Sequence, residues 1–176
     1  MPSTKMQASP PADGTRPGRE SPAAATPTVA LQVLRLRLQD IQCAIDLCFV
    51  ERVSPLVAVQ QVPGGPRYLA GLMNYRGESL ALVDLGIWLG LTDGEPYSLD
   101  TPIILCHDGQ TRVGFVVSEV FQAEAAAASS VQMESTFAGT VSPFIAALNS
   151  ASGQALLLDM RRIMQLDFSA ASLGTP

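Results

Sequence analysis

The sequence contains few of the residues from which catalytic and metal sites are usually built. Its 176 residues include one histidine, three cysteines and only 15% charged residues. An odd number of cysteines cannot form a closed set of disulfides, and one histidine with three dispersed cysteines cannot hold zinc without carboxylates. Each of Cys43, Cys48 and Cys106 lies in an apolar context. We therefore expect three free thiols, all buried in the core of a protein from a reducing compartment.

Motifs that bind cofactors or activate nucleophiles are also missing. Gly64-Gly65 is not followed by the Lys-Ser or Lys-Thr of a phosphate loop, and no GxGxxG motif connects a predicted strand to a predicted helix. His107 lies beside Asp108-Gly109 in a polar turn, where we interpret it as a solvated side chain rather than a catalytic or phosphoacceptor residue. Asp84 ends its predicted strand without a second carboxylate placed beside it. These absences predict that the protein is not an enzyme and uses neither a cofactor nor a metal.

The charge pattern argues against nucleic acid and membrane surfaces as partners. The net charge is −5 and the pI is about 4.7. The densest cations, Arg35, Arg37, Arg161 and Arg162, are scattered, so no basic patch is expected to bind nucleic acid or anionic lipid. No apolar run reaches the ~18 to 20 residues that span a bilayer, and the N-terminus lacks the compact apolar core of a signal peptide. We expect a cytoplasmic protein without direct membrane insertion.

Hydrophobic residues make up 47% of the chain, which is enough to build a folded core. Large apolar residues are scarce over residues 1–28, which are rich in Pro, Ala, Ser, Thr and Gly. Such a segment cannot bury enough surface to offset its conformational entropy. We expect a disordered tail over residues 1–28, an ordered region over residues 29–168 and a frayed tail over residues 169–176.

The ordered region is predicted to contain about ten short strands and two short helices. Alternating apolar residues at 34–38 and 41–47 flank the turn Gln39-Asp40. Residues 49–53 favour a short helix or an irregular connection, and residues 124–128 have helical propensity but lie among strands. The further predicted strands are 56–59, the two that flank the turn at 74–77, the hairpin strands 103–106 and 112–117, and the hairpin strands 143–148 and 154–159; the predicted helices are 85–91 and 160–166.

Many short strands at regular spacing are typical of a β-sandwich or of small β-barrels. Residues 92–100 contain Gly94, Pro96 and three acidic residues, so we interpret them as a linker between two groups of five strands. The expected fold class is therefore mainly all-β, with the strands divided into two groups.

The most informative motif is Asn74-Tyr75-Arg76-Gly77, which follows an apolar stretch and precedes an alternating one that ends in Asp84-Leu85. This pattern predicts a strand, a tight turn and a second strand, because Gly77 can supply a positive φ and Arg76 stays solvated at the turn. Together with Gly71 upstream, the run resembles the signature of the CheW family, the adaptors that join chemoreceptors to a histidine kinase.

The resemblance extends over residues 30–168, essentially the whole ordered region. Val50-Glu51-Arg52-Val53 is similar to the family's Val-x-Glu-Ile segment, and residues 113–120 are similar to its Val-Gly-aliphatic-Val-Val-Asp-x-Val segment. Residues 156–164 resemble its closing strand and helix. The resemblance implies two packed, five-stranded SH3-like β-barrels with a few short helices, here over residues 29–92 and 93–168.

The resemblance also implies a function. Family members use the first barrel to bind the matching regulatory domain of a CheA-type histidine kinase, and a groove between the barrels to hold the cytoplasmic tip of a chemoreceptor. This implies a non-enzymatic adaptor without cofactors that is recruited to membrane receptor arrays, and self-association within the array is left open. The implied partner-binding residues are Val50, Arg52, Gly71, Asn74, Arg76 and Gly77.

Three positions depart from the family pattern. Arg52 stands where the family usually has an acidic residue, Ala81 where it often has Pro, and Ser118 where it often has Asp. Charge reversal at an interface changes the choice of partner more than the affinity. Arg52 therefore favours a dedicated, non-flagellar pathway, such as a surface-sensing, pilus or second-messenger array.

Other interpretations stay open at the level of sequence. Arg76 can pair internally with Asp84 and only hold the turn, and Gly71 can be merely a small core residue. The whole protein can be a small-molecule-binding β-barrel or an enzyme with no recognisable site. Fusion to a response-regulator domain is not expected, because the chain ends at residue 176 without a phosphoacceptor domain. An RNA-binding small barrel is not expected from the acidic pI and the missing surface aromatics.

Overall fold

The computed structural model describes residues 30–94, 96–132, 142–166 and 168. The tails expected at residues 1–28 and 169–176 lie outside the described residues. The described chain forms eleven strands and two short α-helices. The strands are β1 (Leu31–Leu38), β2 (Ile41–Asp46), β3 (Val50–Pro55), β4 (Leu69–Tyr75), β5 (Glu78–Asp84), β6 (Pro102–His107), β7 (Arg112–Val116), β8 (Glu119–Ala126), β9 (Val131–Gln132), β10 (Phe144–Ser150) and β11 (Gly153–Leu158); the helices are α1 (Leu85–Trp88) and α2 (Met160–Met164).

The strands form two sheets. One has six strands in the order β8-β1-β2-β11-β10-β9, and the other has five in the order β3-β6-β7-β5-β4. Pairing is antiparallel except between β11 and β2 and between β5 and β7, which are parallel. The predicted fold class, mainly all-β with two barrel-like sheets and a few short helices, is confirmed, although one sheet has six strands rather than five.

The two sheets do not divide the chain at residue 92. β3 to β7 form the five-stranded sheet, whereas the N-terminal hairpin of β1 and β2 joins β8 to β11 in the other. The parallel pairing of Cys43 with Leu156 and of Ala44 with Leu157 makes this connection. The strands of the two sheets therefore do not follow the expected division into barrels at 29–92 and 93–168. The pattern of a strand predicts its two faces, but it does not identify a partner far along the chain.

Strand alternation gives each sheet two buried faces. On β1, Leu34, Leu36 and Leu38 belong to a core cluster that both sheets share. Val33, which points to the other face, belongs to a smaller cluster formed by the six-stranded sheet alone. The five-stranded sheet has a separate small cluster that includes Leu82. The molecule thus has one small core in each sheet and a larger core between the sheets.

The core between the sheets also includes the C-terminal segment. Residues of α2 belong to this cluster, and so does Phe168. The ring of Phe168 makes edge-on contacts with three aromatic rings of the five-stranded side, with centroid distances of 6.1 to 6.3 Å, to Tyr68, Trp88 and Phe115. Because edge-to-face ring contacts add to the burial of apolar surface, the segment that follows the six-stranded sheet stabilises its contact with the other sheet.

The segment before the linker differs from the prediction. Residues 50–55 form strand β3 rather than a short helix or an irregular connection, and residues 56–59 form no strand. In the pairing of β3 with β6, Val50 faces Cys106 and Arg52 faces Leu105, so Glu51 is an extra residue in a β-bulge. A bulge interrupts the alternation by which a strand is recognised in sequence. Pro55 is tolerated because it ends an edge strand.

Two further expectations are corrected. Residues 124–126 belong to β8, because Glu124 and Ala126 pair with β1 as part of the sheet. Cys43 and Cys106 are buried, and burial raises the pKa of each thiol to about 12. Cys48, however, is exposed, because it lies in a helical turn after β2, where its N–H donates to Asp46 Oδ1 at 2.9 Å.

Arg35 is buried inside the six-stranded sheet, with only 2% of its surface exposed. Its guanidinium forms an ion pair with Glu124 of β8 at 3.4 Å. It also donates to the backbone carbonyls of Ser152, Gly153 and Gln154 at 3.0 to 3.3 Å. Arg35 therefore fastens the tip of the β10–β11 hairpin to β1 and β8.

Candidate functional site

The predicted partner-binding residues lie on neighbouring elements of the five-stranded sheet. Asn74, Arg76 and Gly77 are exposed at the turn between β4 and β5. Val50, which is partly buried, and Arg52, which is exposed, lie on β3 on either side of the bulge. Glu51 joins β3 to the turn through a hydrogen bond with Tyr75 and an ion pair with Arg76. Gly71 is buried within β4 and presents no side chain to solvent.

The turn between β4 and β5 is narrow and has a defined shape. Arg76 and Gly77 have φ angles of +55° and +88°. Two successive positive φ angles are typical of a type I′ hairpin turn, for which glycine at the second position is well suited. The side chain of Asn74 accepts a hydrogen bond from the N–H of Gly77 at 3.0 Å. The prediction of a positive φ at Gly77 is confirmed, and the turn holds the Arg76 side chain in solvent.

Glu51 connects the bulge of β3 to this turn. Its Oε2 accepts from Arg112 Nε at 2.6 Å, and its Oε1 accepts from the Tyr75 hydroxyl at 3.0 Å. Arg76 Nη1 lies 3.8 Å from the same Oε1. The hydrogen bond from Arg112, followed by that from Tyr75, lowers the pKa of the Glu51 carboxyl below its usual range. The carboxylate is therefore charged at neutral pH, with two hydrogen-bond donors and the Arg76 guanidinium close to it.

Tyr75 supports both arginines. The guanidinium carbon of Arg76 lies 5.1 Å from the centroid of the Tyr75 ring, and that of Arg112 lies 5.7 Å from it. Both distances fall within the range of cation–π attraction. Arg112 Nη1 also lies 3.8 Å from Glu78 Oε2 at the start of β5. We refer to Glu51, Tyr75, Arg76, Glu78 and Arg112 together as the Glu51 cluster.

The internal pairing of Arg76 with Asp84 does not occur. Asp84 lies at the opposite end of β5, where its Oδ1 accepts from the N–H of Ile87 at 2.9 Å and caps α1. Its Oδ2 accepts from the Tyr97 hydroxyl at 2.8 Å. Burial of the ring, followed by this hydrogen bond, raises the pKa of Tyr97. Asp84 therefore has a structural role away from the turn, and the ion-pair partner of Arg76 is Glu51.

Sequence reasoning missed most of the Glu51 cluster. Glu51 and Tyr75 lie within the motifs that resemble the family, but the bulge that turns Glu51 toward the β4–β5 turn has no clear sequence signature. Arg112 reaches the cluster only through the pairing of β7 with β6 and of β6 with β3. No local pattern places residues so far apart in sequence beside one another.

Gly71 acts through the packing of the backbone. Its φ is +144°, and a Cβ at this position would lie 2.5 Å from the backbone oxygen of Gln60 and 2.5 Å from Val59 Cγ1. The neighbouring residue Leu72 exchanges two backbone hydrogen bonds with Gln60, both 2.8 Å. Gly71 thus allows the segment after β3 to lie directly against β4. Its role is more specific than that of a small core residue.

A groove lies between β3 and β8, which are edge strands of the two sheets. Its volume is about 640 Å³, and β3 and β8 form most of its walls. The lining includes Pro55 and Pro102, together with Val53 and Phe121, which are 39% and 43% exposed. β3 therefore contributes Glu51 and Arg52 to the charged face and Val53 to Pro55 to the groove.

The described residues offer no arrangement for metal chemistry. In the ranges that the structure describes, no three or more His, Cys, Asp or Glu side chains are grouped to hold a metal ion. No helix in those ranges is long and apolar enough to cross a membrane. Two barrel-like sheets on a shared core, with an exposed arginine turn and an open apolar groove, define a protein-binding scaffold.

Comparisons with known proteins identify the scaffold. The family model described as CheW-like domain matches residues 32–168, so the chain belongs to the CheW-like family. The chemotaxis protein CheW of Klebsiella aerogenes is 25% identical over 139 residues, which cover 78% of this chain and 83% of that protein. The crystal structure of the scaffolding protein TtCheW from Thermoanaerobacter tengcongensis has the same fold, with a TM-score of 0.69 at 16% identity over 80% of this chain and 96% of that one. The chain is a CheW-like chemotaxis scaffold and not an enzyme.

Proposed function

We propose that this protein couples a chemoreceptor to a CheA-type histidine kinase in a chemosensory array. It acts in the cytoplasm and is recruited to membrane receptor arrays through these partners. The regulatory domain of the kinase binds the face formed by the β4–β5 turn and β3, and the receptor's cytoplasmic tip binds the groove between the sheets. Self-association within the array is compatible with these two sites.

One observation carries the proposal: a single edge strand, β3, contributes to both surfaces. Glu51 and Arg52 lie at the charged face, and Val53 to Pro55 line the groove. A protein that occupies the groove therefore lies next to a protein that occupies the charged face. Because both sheets share one core, the two partners are held in a fixed relative position, which is what a coupling adaptor requires.

The predicted site residues have distinct roles in this proposal. Arg76 and Arg52 are exposed and supply polar contacts with the kinase, since a guanidinium can pair with carboxylates or carbonyls across an interface. Val50 supports the start of β3 from the core side. Three residues shape the face rather than contact the partner through long side chains: Gly71, Asn74 and Gly77.

The kinase site is tested by co-elution of the full chain with the regulatory domain of a CheA-type kinase from the same genome. We expect a stable complex with wild type and a weaker one with Arg76→Ala. Arg67→Ala is the matched control, because both side chains are more than 70% exposed and both have a carboxylate within 4 Å. Wild-type protein that elutes apart from every such kinase would refute the adaptor function, and equal losses in the two variants would refute the proposed face.

The receptor site is tested separately with Phe121→Ser, which removes a partly exposed ring from the groove. Binding of a receptor cytoplasmic fragment should weaken while binding of the kinase domain is retained. Ile145→Ser, a change at an apolar residue of similar exposure outside the groove lining, should affect neither. If Phe121→Ser binds the receptor fragment as wild type does, the groove is not the receptor site.

The pathway is part of the proposal. Arg52 carries a positive charge where the family usually has a negative one, so we propose that the partner kinase belongs to a dedicated, non-flagellar array. Competition between this protein and the flagellar adaptor for the flagellar kinase tests this. Equal binding of the two adaptors to that kinase would contradict a dedicated pathway.

A further inference from the structure

Glu51 lies between two arginines that hold it very differently. Arg112 Nε donates to Oε2 at 2.6 Å, which is a short, charge-assisted hydrogen bond. Arg76 Nη1 is 3.8 Å from Oε1, beyond hydrogen-bond distance. The Tyr75 hydroxyl donates to Oε1 at 3.0 Å. Both oxygens of Glu51 therefore have a donor without Arg76.

Exposure separates the two arginines in the same way. The side chain of Arg76 is 73% exposed, whereas those of Arg112 and Glu51 are 36% and 19% exposed. An ion pair with so exposed an arginine stabilises the protein very little. The Tyr75 ring and the tight turn keep the Arg76 side chain near one position, although no strong bond commits it to Glu51.

The local charge differs in sign from that of the chain. Arg52, Arg76 and Arg112 carry three positive charges on this face, against two negative charges on Glu51 and Glu78, whereas the whole chain has a net charge of −5. Arg52 is exposed and forms no ion pair with any residue in the described ranges. A face with an unpaired guanidinium at Arg52 and a weakly held one at Arg76 is complementary to a partner surface that carries carboxylates.

We infer that Arg112 is a positioning residue: it neutralises Glu51, so that Arg76 stays available to pair with a carboxylate of the partner. The inference rests on the proposed function, in which that partner is the kinase regulatory domain. Arg112 does not contact the kinase. It decides whether the guanidinium at the turn points toward the partner or is held by its own protein.

The role of Arg112 can be separated from a purely structural one, because it depends on competition. Without Arg112, Oε2 of Glu51 has no donor and Arg76 becomes its nearest counter-ion. Arg76 is then drawn onto Glu51 and lost to the partner. If Glu51 is also made neutral, this competitor disappears and Arg76 is released again. Adding Glu51→Gln to Arg112→Gln should therefore restore binding of the partner, whereas a second substitution that only damaged the fold would weaken binding further.

The experiment measures the equilibrium Kd for the kinase regulatory domain by titration calorimetry, with full-length variants whose folding is checked by circular dichroism. We expect Arg76→Ala and Arg112→Gln each to weaken binding about tenfold. Glu51→Gln should bind at least as tightly as wild type. The double variant Glu51→Gln/Arg112→Gln should return to within about threefold of wild type, and the control Arg67→Ala should be unchanged.

Salt dependence tests the carboxylate on the partner. Raising NaCl from about 0.05 M to about 0.3 M should weaken wild-type binding, and the slope should be smaller for Arg76→Ala. A slope that Arg76→Ala leaves unchanged would overturn the pairing with a carboxylate.

The remaining outcomes separate the inference from the function on which it rests. No binding by wild-type protein overturns both. If wild-type protein binds normally but the double variant binds as weakly as Arg112→Gln, only the positioning role of Arg112 is overturned. The same conclusion follows if Arg112→Gln binds like wild type. Should Arg112→Gln fail to fold, Glu51→Gln decides, because weaker binding by that variant would show that Glu51 does not compete for Arg76.

Discussion

At the scale of single residues, the candidate site depends on two glycines with different tasks. Gly77 completes the tight turn that presents Arg76, and open space surrounds the position where its Cβ would be. Gly71 lies under the same hairpin, where a Cβ would collide with backbone. Gly77 is needed for its positive φ. Gly71 is needed both for its positive φ and because a side chain at this position would collide with the backbone.

Gly71→Ala should therefore destabilise the protein by about 3 kcal/mol, since overpacking against backbone adds to the cost of a positive φ. Gly153→Ala is the matched control, because Gly153 has a φ of +96° and nothing within 4 Å of the position of its Cβ. That variant should lose only about 1 kcal/mol. Urea denaturation of both measures the difference, and equal losses would show that the close contact of the 59–60 segment does not matter.

At the scale of elements, a buried ion pair fixes a hairpin. The Arg35–Glu124 pair of β1 and β8 lies next to an exposed pair on the same strands, Arg37–Glu119, so the two pairs can be compared directly. Side-chain exposures are 3% and 15% in the first pair and 43% and 46% in the second. Hydrogen bonds from Ser152 and Ser150, with the nearby charge of Arg35, lower the pKa of Glu124.

This lowered pKa predicts a pH dependence. A carboxyl whose pKa is lower in the folded state stabilises it above the unfolded-state pKa, and the contribution disappears as the pH falls through the folded-state value. Wild-type stability should therefore fall on acidification below pH of about 4.3. Glu124→Gln should be less stable than wild type at pH 7 by about 2 kcal/mol and should lose less on acidification. Glu119→Gln, at the exposed pair, should behave like wild type, and identical acid profiles for all three proteins would contradict the role of Glu124.

Elements with strictly local causes could be predicted from the sequence. The turn at Asn74 to Gly77 and the short helix that begins after Asp84 each follow from a few adjacent residues. β3 cannot be recognised from the sequence, because the extra residue Glu51 interrupts the alternation. The apolar alternation of β1 correctly indicates a strand, but it cannot show that Arg35 is buried against β8 and the β10–β11 hairpin, whereas Arg37 lies half exposed. The difference in burial between Arg35 and Arg37 depends on which strands pair with β1 on its two sides.

At the scale of the whole molecule, the shared core makes the two sheets one unit. Phe168 is 4% exposed and contacts aromatic rings that belong to the five-stranded side. This contact, as part of the shared core, helps to hold the groove and the charged face in a fixed relative position. An adaptor with two loosely joined barrels could bind both partners without fixing the angle between them.

Phe168→Ala should destabilise the protein by about 3 to 4 kcal/mol. The fluorescence of Trp88, beside Phe168, and the far-UV circular dichroism of both sheets should still report one transition with the same midpoint. Leu166→Ala, at a 40% exposed residue of the same segment, is the control and should have little effect. Different midpoints for the two signals in wild-type protein would show that the sheets unfold separately.

The interleaved order of the strands has a consequence for synthesis. The bonds of Arg35 to the β10–β11 hairpin join residues separated by 115 positions or more along the chain. A growing polypeptide that has emerged only as far as β7 contains β1 and β2 without the strands that complete their sheet. Contacts between residues so distant in sequence form late and slow folding. The six-stranded sheet, which supplies the β8 wall of the groove, can therefore form only after nearly the entire chain has left the ribosome.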